Sequence, residues 1–275
     1  MYKRQTKTNN GTIINKPAPS TNFASSSITA IYGDSITNSF TTDSNGTKTF
    51  SSSNTSSATI NSSNGSVSIV AVGNATMSVN LAETNEYTSA NDNYTLTTNP
   101  KTLTATASAS NKVYNGTTTA TTTLTFSGLI GSETLGQTVG STFADKNVGT
   151  GKTVTVNSIA LADGTNGGLA SNYTISLGQT TTANITAKPL TVSGITASDK
   201  TYDATTATTL STGSVVYGGL VSGDTLTGTY SGVFNNANVG TGKTVTITSS
   251  YGGACLLYTS PSPRDYAASR MPSSA

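Results

Sequence analysis

The sequence predicts an all-β protein made of tandem small β-sandwich (immunoglobulin-like) domains in series, the last of them truncated. Threonine, which is β-branched and favours strands, makes up about a fifth of the 275 residues. Apolar residues occur in short alternating runs, and no helical period lasts longer than two turns. Long stretches of the chain also recur with a period of about 90 residues, which suits a small sandwich better than a solenoid coil.

Both ends of the chain resemble translated sequencing-library DNA. CLLYTSPSPRD (Cys255–Asp265) is what a transposon-based sequencing adapter encodes, and SRMPSSA (Ser269–Ala275) matches the outer end of the same adapter. MYKRQ (Met1–Gln5) matches the reverse complement of the adapter. We therefore expect residues 1–5 and 255–275 to be adapter artefacts, and the residues between them to be a piece of a longer protein.

Composition excludes several classes of function. Without the charged residues of the two ends, the formal net charge changes from +2 to −1, so no basic surface for nucleic acid is expected. The chain has no His and one Cys, at position 255, so the usual parts of metal and nucleophilic sites are missing. No run of 18 apolar residues occurs, and no membrane insertion is expected within the chain.

Repeated motifs divide the chain after residue 100. Lys112–Thr118 (KVYNGTT) recurs as Lys200–Thr206 (KTYDATT), with the two tyrosines 88 positions apart. Gly128–Leu135 (GLIGSETL) recurs as Gly219–Leu226 (GLVSGDTL) at an offset of 91. These motifs define two copies, each beginning with Lys-x-Leu-Thr: repeat 1 covers residues 101–187, and repeat 2, which lacks its last strands, covers residues 188–254.

Alternation and turn residues predict six strands in repeat 1, separated by turns that contain Asn-Gly, Gly-Thr-Gly and Asp-Gly. The predicted strands are 101–108, 119–127, 137–144, 152–161, 171–177 and 180–187.

The earlier part of the chain has a different pattern. Residues 6–27 are predicted to be a linker, and residues 28–98, called the first module here, a separate sandwich domain. Within it, Gly73-Asn74 predicts a tight turn between two strands. We expect Val67, Ile69 and Ala71 on one strand, and Ala75, Met77 and Val79 on its hairpin partner, to face one side.

These residues resemble two families of bacterial surface modules. The first module, with YGD, SSNTSSATI and SIVAVGNATMSV, resembles MBG-type bacterial immunoglobulin-like domains. Repeats 1 and 2 resemble YDG-type repeats, which are named for a Lys-x-Tyr-Asp-Gly-Thr-Thr motif. Asn115 replaces the aspartate in the first copy, and Ala204 replaces the glycine in the second, which puts a turn with positive φ in doubt there. The family carries no catalytic residues to transfer.

NVGTGKTVTV (Asn147–Val156) looks like the phosphate-binding loop of a nucleotidase but is not predicted to be one. Such a loop needs a leading glycine five positions before Gly151, where this chain has Lys146, and it must open a helix. The Thr/Val alternation that follows predicts a strand instead. A second copy, Asn238–Ile247, lacks the leading glycine as well.

Acidic residues and tyrosines were weighed as site residues. Asp34, Asp163, Asp203 and Asp224 stand singly beside turn residues, which is typical of turn chemistry and not of a paired catalytic site. A group of Asp92, Glu83 and Glu86 is interpreted as a solvated loop rather than a calcium site. The matched positions of Tyr114 and Tyr202 favour core anchors over ligand platforms. No catalytic, cofactor-binding or metal-binding residue is predicted, and no cofactor.

The family resemblance implies a non-enzymatic stalk or repeat region of a large secreted adhesin of the filamentous haemagglutinin type. Its location would be extracellular or on the bacterial cell surface. Partners, such as glycans or proteins on host or neighbouring cells, would bind other parts of the full-length chain. The alternative is a set of accessory spacer or carbohydrate-binding modules of an extracellular polysaccharide-active enzyme.

Overall fold

The computed structural model describes residues 6–7, 13–259 and 266–269. In these ranges the chain forms strands and two single-turn 3₁₀ helices, Ala170–Asn172 and Cys255–Leu257, which confirms the all-β prediction. No helix in the described part is long and apolar enough to cross a membrane. The predicted adapter residues 1–5, 260–265 and 270–275 lie outside the described ranges.

The strands follow the sequence modules. Up to the end of the first module they are β1 (Thr6–Lys7), β2 (Ile13–Ile14), β3 (Thr21–Phe23), β4 (Ser27–Ile31), β5 (Phe40–Thr42), β6 (Lys48–Ser52), β7 (Ala58–Ile60), β8 (Val67–Ile69), β9 (Gly73–Leu81) and β10 (Ala90–Asn99). In repeat 1 they are β11 (Lys101–Ala109), β12 (Lys112–Val113), β13 (Thr119–Ala120), β14 (Thr122–Ser127), β15 (Leu135–Phe143), β16 (Gly149–Asp163), β17 (Tyr173–Ile175) and β18 (Thr180–Thr186). From residue 188 onwards they are β19 (Lys188–Pro189), β20 (Thr191–Ser193), β21 (Thr196–Ala197), β22 (Ala207–Thr208), β23 (Leu210–Ser211), β24 (Val216–Gly218), β25 (Leu226–Phe234), β26 (Lys243–Gly253), β27 (Tyr258–Thr259) and β28 (Tyr266–Ser269).

The chain divides into two compact units that do not follow the sequence modules. Unit 1 consists of Met1–Thr106, Leu124–Thr138 and Ile159–Leu177, and unit 2 of Ala107–Thr123, Val139–Ser158 and Gly178–Ala275. Each unit therefore contains part of repeat 1.

The first module forms the main core of unit 1. A four-stranded sheet, in the order β4-β10-β9-β6, lies on one side of this core, and the ladders β3-β5 and β7-β8 complete it. Alternation along β9 buries Ala75, Met77 and Val79 as predicted. Phe23 of β3 also packs in this core, although it lies in the range predicted to be a linker.

The predicted hairpin about Gly73-Asn74 is wrong. β8 pairs with β7, whereas β9 pairs with β10 and β6. The segment between β8 and β9 leaves the first ladder while Ser57 holds it, because the carbonyl of Ser57 accepts from the N–H groups of Val70 and Ala71. The alternation of apolar residues was therefore interpreted correctly, but their partner strand was not.

The rest of unit 1 comes from repeat 1. A three-stranded sheet, β14-β11-β17, brings Leu103 and Tyr173 into a second core with Tyr32. β11 pairs in parallel with β17, with Lys101 opposite Tyr173.

Unit 2 contains a five-stranded sheet in the order β12-β18-β16-β15-β13 and a four-stranded sheet in the order β22-β25-β26-β28. The first surrounds a core with Tyr114, Phe143 and Ile185, and the second a core with Phe234 and Val245. The six strands predicted for repeat 1 all correspond to observed strands, although the pattern missed the two-residue β12 and the break between β13 and β14.

Candidate functional site

The Lys-x-Tyr motif of repeat 1 is a turn held together by its lysine. The Lys112 ammonium donates to the carbonyl oxygens of Thr117 (2.6 Å) and Thr119 (2.9 Å) and to Asn115 Oδ1 (3.1 Å). Asn115 Oδ1 also accepts from the backbone N–H (3.1 Å) and the hydroxyl (2.9 Å) of Thr117. This is the side-chain-to-backbone pattern that makes asparagine and aspartate favourable in turns.

Repeat 2 builds the same turn with an aspartate. Lys200 donates to the carbonyl oxygens of Thr205 (2.9 Å) and Ala207 (2.8 Å) and forms an ion pair with Asp203 (2.7 Å). The hydrogen bond from Lys200, followed by those from Thr205, lowers the pKa of Asp203 to about 2. The prediction that Asp203 serves turn chemistry is confirmed.

The structure also answers the doubt about Ala204. Its φ is 62°, close to the 79° of Gly116 at the matched position, so the turn keeps its left-handed residue without glycine. An L-alanine in this conformation costs about 1–2 kcal/mol. The lysine and aspartate bonds of the same turn offset that cost.

The tyrosine of the repeat 1 motif belongs to a cluster in unit 2. Tyr114 is 1% exposed, and its hydroxyl donates to Asp224 Oδ2 (2.8 Å). The hydroxyl of Tyr258 donates to the same oxygen (2.6 Å) and accepts from the Val221 N–H (2.9 Å). The two rings meet edge to face, 5.7 Å between centroids. We call Tyr114, Asp224 and Tyr258 the unit 2 tyrosine cluster.

Unit 1 contains a cluster of the same kind. The hydroxyls of Tyr32 and Tyr173 donate to the two carboxylate oxygens of Glu133, at 2.7 and 2.5 Å. Tyr173 accepts from the Ile130 N–H (3.0 Å), and its ring lies edge to face with that of Tyr32, 5.5 Å between centroids. We call Tyr32, Glu133 and Tyr173 the unit 1 tyrosine cluster.

Each cluster joins two consecutive sequence modules. In unit 1, Tyr32 belongs to the first module, whereas the carboxylate and second tyrosine belong to repeat 1. In unit 2, Tyr114 belongs to repeat 1, whereas Asp224 belongs to repeat 2. The tyrosine and carboxylate are 101 and 110 positions apart, farther than the 88-residue spacing of the repeated tyrosines. The clusters are therefore contacts between modules and not anchors within one module.

A glycine beside each donor tyrosine permits the close approach. A Cβ on Gly116 would lie 2.8 Å from Val221 Cγ1, and one on Gly33 would overlap the side chain of Ile130. Ile130 and Val221 occupy matched positions of the two repeats. In unit 1, Asn172 adds a further bond between modules by accepting from the Val72 N–H at 2.9 Å.

Burial and the neighbouring carboxylates favour the protonated tyrosines. Burial first, and then the hydrogen bond to Glu133, raises the pKa of Tyr32 and of Tyr173 to about 12. Burial and Asp224 raise the pKa of Tyr114 to about 12. The hydrogen bond from Tyr258 lowers the pKa of Asp224. Hydrogen bonds to an ionised acceptor are roughly twice as strong as neutral ones, so these contacts stabilise the joins between modules.

The two repeat tyrosines, predicted as core anchors, differ in the structure. Tyr114 is buried, but Tyr202 is 57% exposed, so the prediction is wrong for Tyr202. The matched position was interpreted as a place in the module's own core. It is instead a surface position that the following module covers, and no described residue covers Tyr202 in that way.

The remaining predicted acids have separate roles. Asp34 accepts from the Ile31 N–H and Asp163 from the Ala170 N–H, as turn residues do. Asp224 departs from that prediction, because its carboxylate accepts from two tyrosines. Asp92 lies in β10, not in a loop, and accepts from the Phe23 N–H.

Glu83 forms an ion pair with Lys16 (2.8 Å). Among the described residues, no group of three His, Cys, Asp or Glu could hold a metal ion.

The loop that resembles a phosphate-binding loop leads into β16, which confirms the predicted strand. Its lysine, Lys152, forms an ion pair with Asp145 (2.7 Å). In the second copy, Lys243 donates to the carbonyl oxygens of Asn236 (2.7 Å) and Asn238 (2.5 Å). Both ammonium groups thus hold their own loops.

Sequence reasoning missed Glu133 and Tyr173. Their signals were present, since Glu133 and Asp224 occupy the acidic position of the repeated Gly-Leu motif. Tyr258 has no such signal, because it falls in the range predicted to be adapter, yet β27 pairs with β19 as β17 pairs with β11.

Comparison with known protein families gives two matches to the YDG domain, over residues 99–183 and 186–256, which together are more than half of the chain. The chain belongs to the YDG domain family. The predicted YDG-type repeats are thereby confirmed, and the MBG-type resemblance of the first module stays a prediction.

No curated protein matches the chain. Among solved structures, a surface layer protein, SbsC (domains 4–9), aligns over 90% of this chain and 41% of its own, with 14% identity and a TM-score of 0.19. The YDG chain thus spans less than half the length of that structure, and a TM-score this low carries no functional inference.

Proposed function

We propose that this YDG chain is a non-enzymatic structural stretch of a large secreted bacterial surface protein, a stalk that presents a distal adhesive domain. The observation that carries the proposal is that a tyrosine–carboxylate–tyrosine cluster joins consecutive modules twice. The most distinctive polar side chains of the repeat are thus used to connect modules. A location outside the cell or on its surface follows from this function and remains part of the proposal.

Pulling single molecules of the chain from both ends tests this function. A load-bearing array unfolds in discrete steps, and a module of about 90 residues releases about 300 Å of chain when it extends fully. We expect steps of this size and expect Tyr114→Phe to lower the unfolding force of one of them, with Tyr202→Phe as the matched control. Smooth extension without steps at any loading rate would contradict the proposal.

Carbohydrate binding is the second candidate, because the exposed ring of Tyr202 offers a surface on which a sugar could stack. It predicts specific glycan binding by the chain that Tyr202→Ala abolishes. A glycan array with both proteins decides this point, and binding that needs Tyr202 would favour accessory modules of a polysaccharide-active enzyme.

A further inference from the structure

Three tyrosines of this chain occupy one position of the module, and only two of them are covered. Tyr32 is 7% and Tyr114 1% exposed, whereas Tyr202 is 57% exposed. The Lys200 turn that carries Tyr202 has the same bonds as the Lys112 turn that carries Tyr114. Tyr202 is therefore presented by the same local structure as Tyr114.

The two covered tyrosines have the same partner chemistry. Each hydroxyl donates to a carboxylate that also accepts from a second tyrosine, and the second tyrosine accepts from a backbone N–H two or three residues before the carboxylate, at Ile130 or Val221. We infer that Tyr202 is a docking residue for a further YDG-type module that follows repeat 2 in the same polypeptide, and that it binds that module's carboxylate–tyrosine pair.

Sequence separation identifies the source of the missing partner. The carboxylate follows its donor tyrosine by 101 and 110 positions in the two clusters. The same separation, counted from Tyr202, places the third carboxylate beyond Ala275. The acceptors within this chain, Glu133 and Asp224, already bind Tyr32 and Tyr114.

Ala204 sets a condition on the partner. The matched Gly116 faces Val221, and a Cβ there would approach Cγ1 to 2.8 Å. Ala204 carries that Cβ, so the following module must present a smaller or displaced side chain at the position of Ile130 and Val221. Ala204→Gly should therefore tighten docking to any module with isoleucine or valine there.

The test adds the missing module to the chain. Residues 255–275 are replaced by a copy of residues 164–187, which completes repeat 2, and a second copy of residues 101–187 follows it. Versions with Ala204 and with Ala204→Gly are compared with the original chain. Nitration by tetranitromethane, read for each tyrosine by peptide mass spectrometry, measures how accessible each ring is.

We expect nitration of Tyr202 to be rapid in the original chain and at least about tenfold slower in the extended Ala204→Gly chain, which corresponds to about 1.4 kcal/mol of docking. The paired changes Glu133→Gln and Tyr173→Phe, made only in the added copy, keep the side-chain volumes and should restore rapid nitration. Rapid nitration of Tyr202 in both extended chains, or protection that survives the paired changes, would overturn the inference.

A variant of the original chain tests the acceptor chemistry even if the added copy does not fold. Asp224→Ala combined with Tyr258→Ala removes the partner of Tyr114, and nitration of Tyr114 should then approach that of Tyr202, while Tyr32 stays protected as an internal control. Continued protection of Tyr114 would refute the docking role of the carboxylate–tyrosine pair.

The inference deepens the proposed structural function and rests on it, because it requires modules in series. The pulling experiment distinguishes the two failures. Discrete unfolding steps with an unprotected Tyr202 would leave the stalk intact and remove only the third join, whereas glycan binding that needs Tyr202 would remove both.

Discussion

Replacing Tyr114 by phenylalanine isolates one hydrogen bond between modules. The ring stays, so its burial and its edge-to-face contact with Tyr258 are kept, and only the 2.8 Å bond to Asp224 is lost. A bond to a charged group contributes about 1.5–3 kcal/mol. Because Asp224 is half-buried and keeps its bond from Tyr258, we place the loss at about 1–2 kcal/mol of unfolding free energy, near the lower end of that range.

The same chain supplies the matched control. Tyr202→Phe removes an exposed hydroxyl from the equivalent turn and should change the stability by less than about 0.5 kcal/mol. Urea unfolding of the purified chain, followed by hydrogen exchange of the strands in unit 2, measures both variants, and unit 1 serves as an internal reference. A thermal melt should show a loss of about 2–6 °C for Tyr114→Phe.

A double-mutant cycle makes this prediction specific to the bond. Asp224→Asn removes the charge that strengthens the contact, so combining it with Tyr114→Phe should cost less than the sum of the single changes, by about 0.5–1 kcal/mol. Equal effects of Tyr114→Phe and Tyr202→Phe, or strictly additive effects of the pair, would refute the interpretation of Asp224 as the acceptor that joins the modules.

Three further predictions follow from the turns and the core. Ala204→Gly should stabilise repeat 2 by about 1 kcal/mol in urea unfolding, because glycine adopts positive φ freely, whereas Gly116→Ala should destabilise by more than that, since its Cβ also meets Val221. Asp203, with its pKa lowered to about 2 from 3.8, contributes stability that is present above pH 4 and lost as the pH falls towards 2. Asp203→Asn, which copies Asn115, should flatten that acid limb of the pH–stability curve, and an unchanged limb would show that the ion pair with Lys200 is not maintained. Met77→Ala should cost about 2–5 kcal/mol in the first module, measured by the loss of its cooperative transition, because its side chain is fully buried.

Much of the fold could be predicted because local physics determines it. Threonine-rich alternation indicates strands wherever one face is buried, and the six strands of repeat 1 correspond to observed ones for that reason. The hairpin about Gly73 was wrong because alternation indicates which side chains face inward but not which strand pairs with which. Pairing is decided over long distances, as β9 shows when it pairs with β10 and β6 instead of β8.

The tyrosine clusters could not be predicted from one repeat. Tyr114 and Glu133 are near each other in sequence, which suggests one site, but each bonds to a residue of a different module. A repeat period shows which residues recur and leaves open whether a recurring pair meets within a module or across two. Only the separations of 101 and 110 positions in the folded chain, both longer than the period, answer that question.

The distribution of roles within the motif explains why its residues tolerate different changes. The lysine and the Asn or Asp of the motif act on their own turn, so Asn115 and Asp203 can replace each other as long as one oxygen accepts from the threonine. The tyrosine and the glycine face the next module, so their requirements depend on that neighbour. Ala204 in place of glycine thus keeps the turn, as its φ of 62° shows, and changes the surface that Tyr202 offers to the module after it. A substitution that is neutral for one module can therefore select which module may follow.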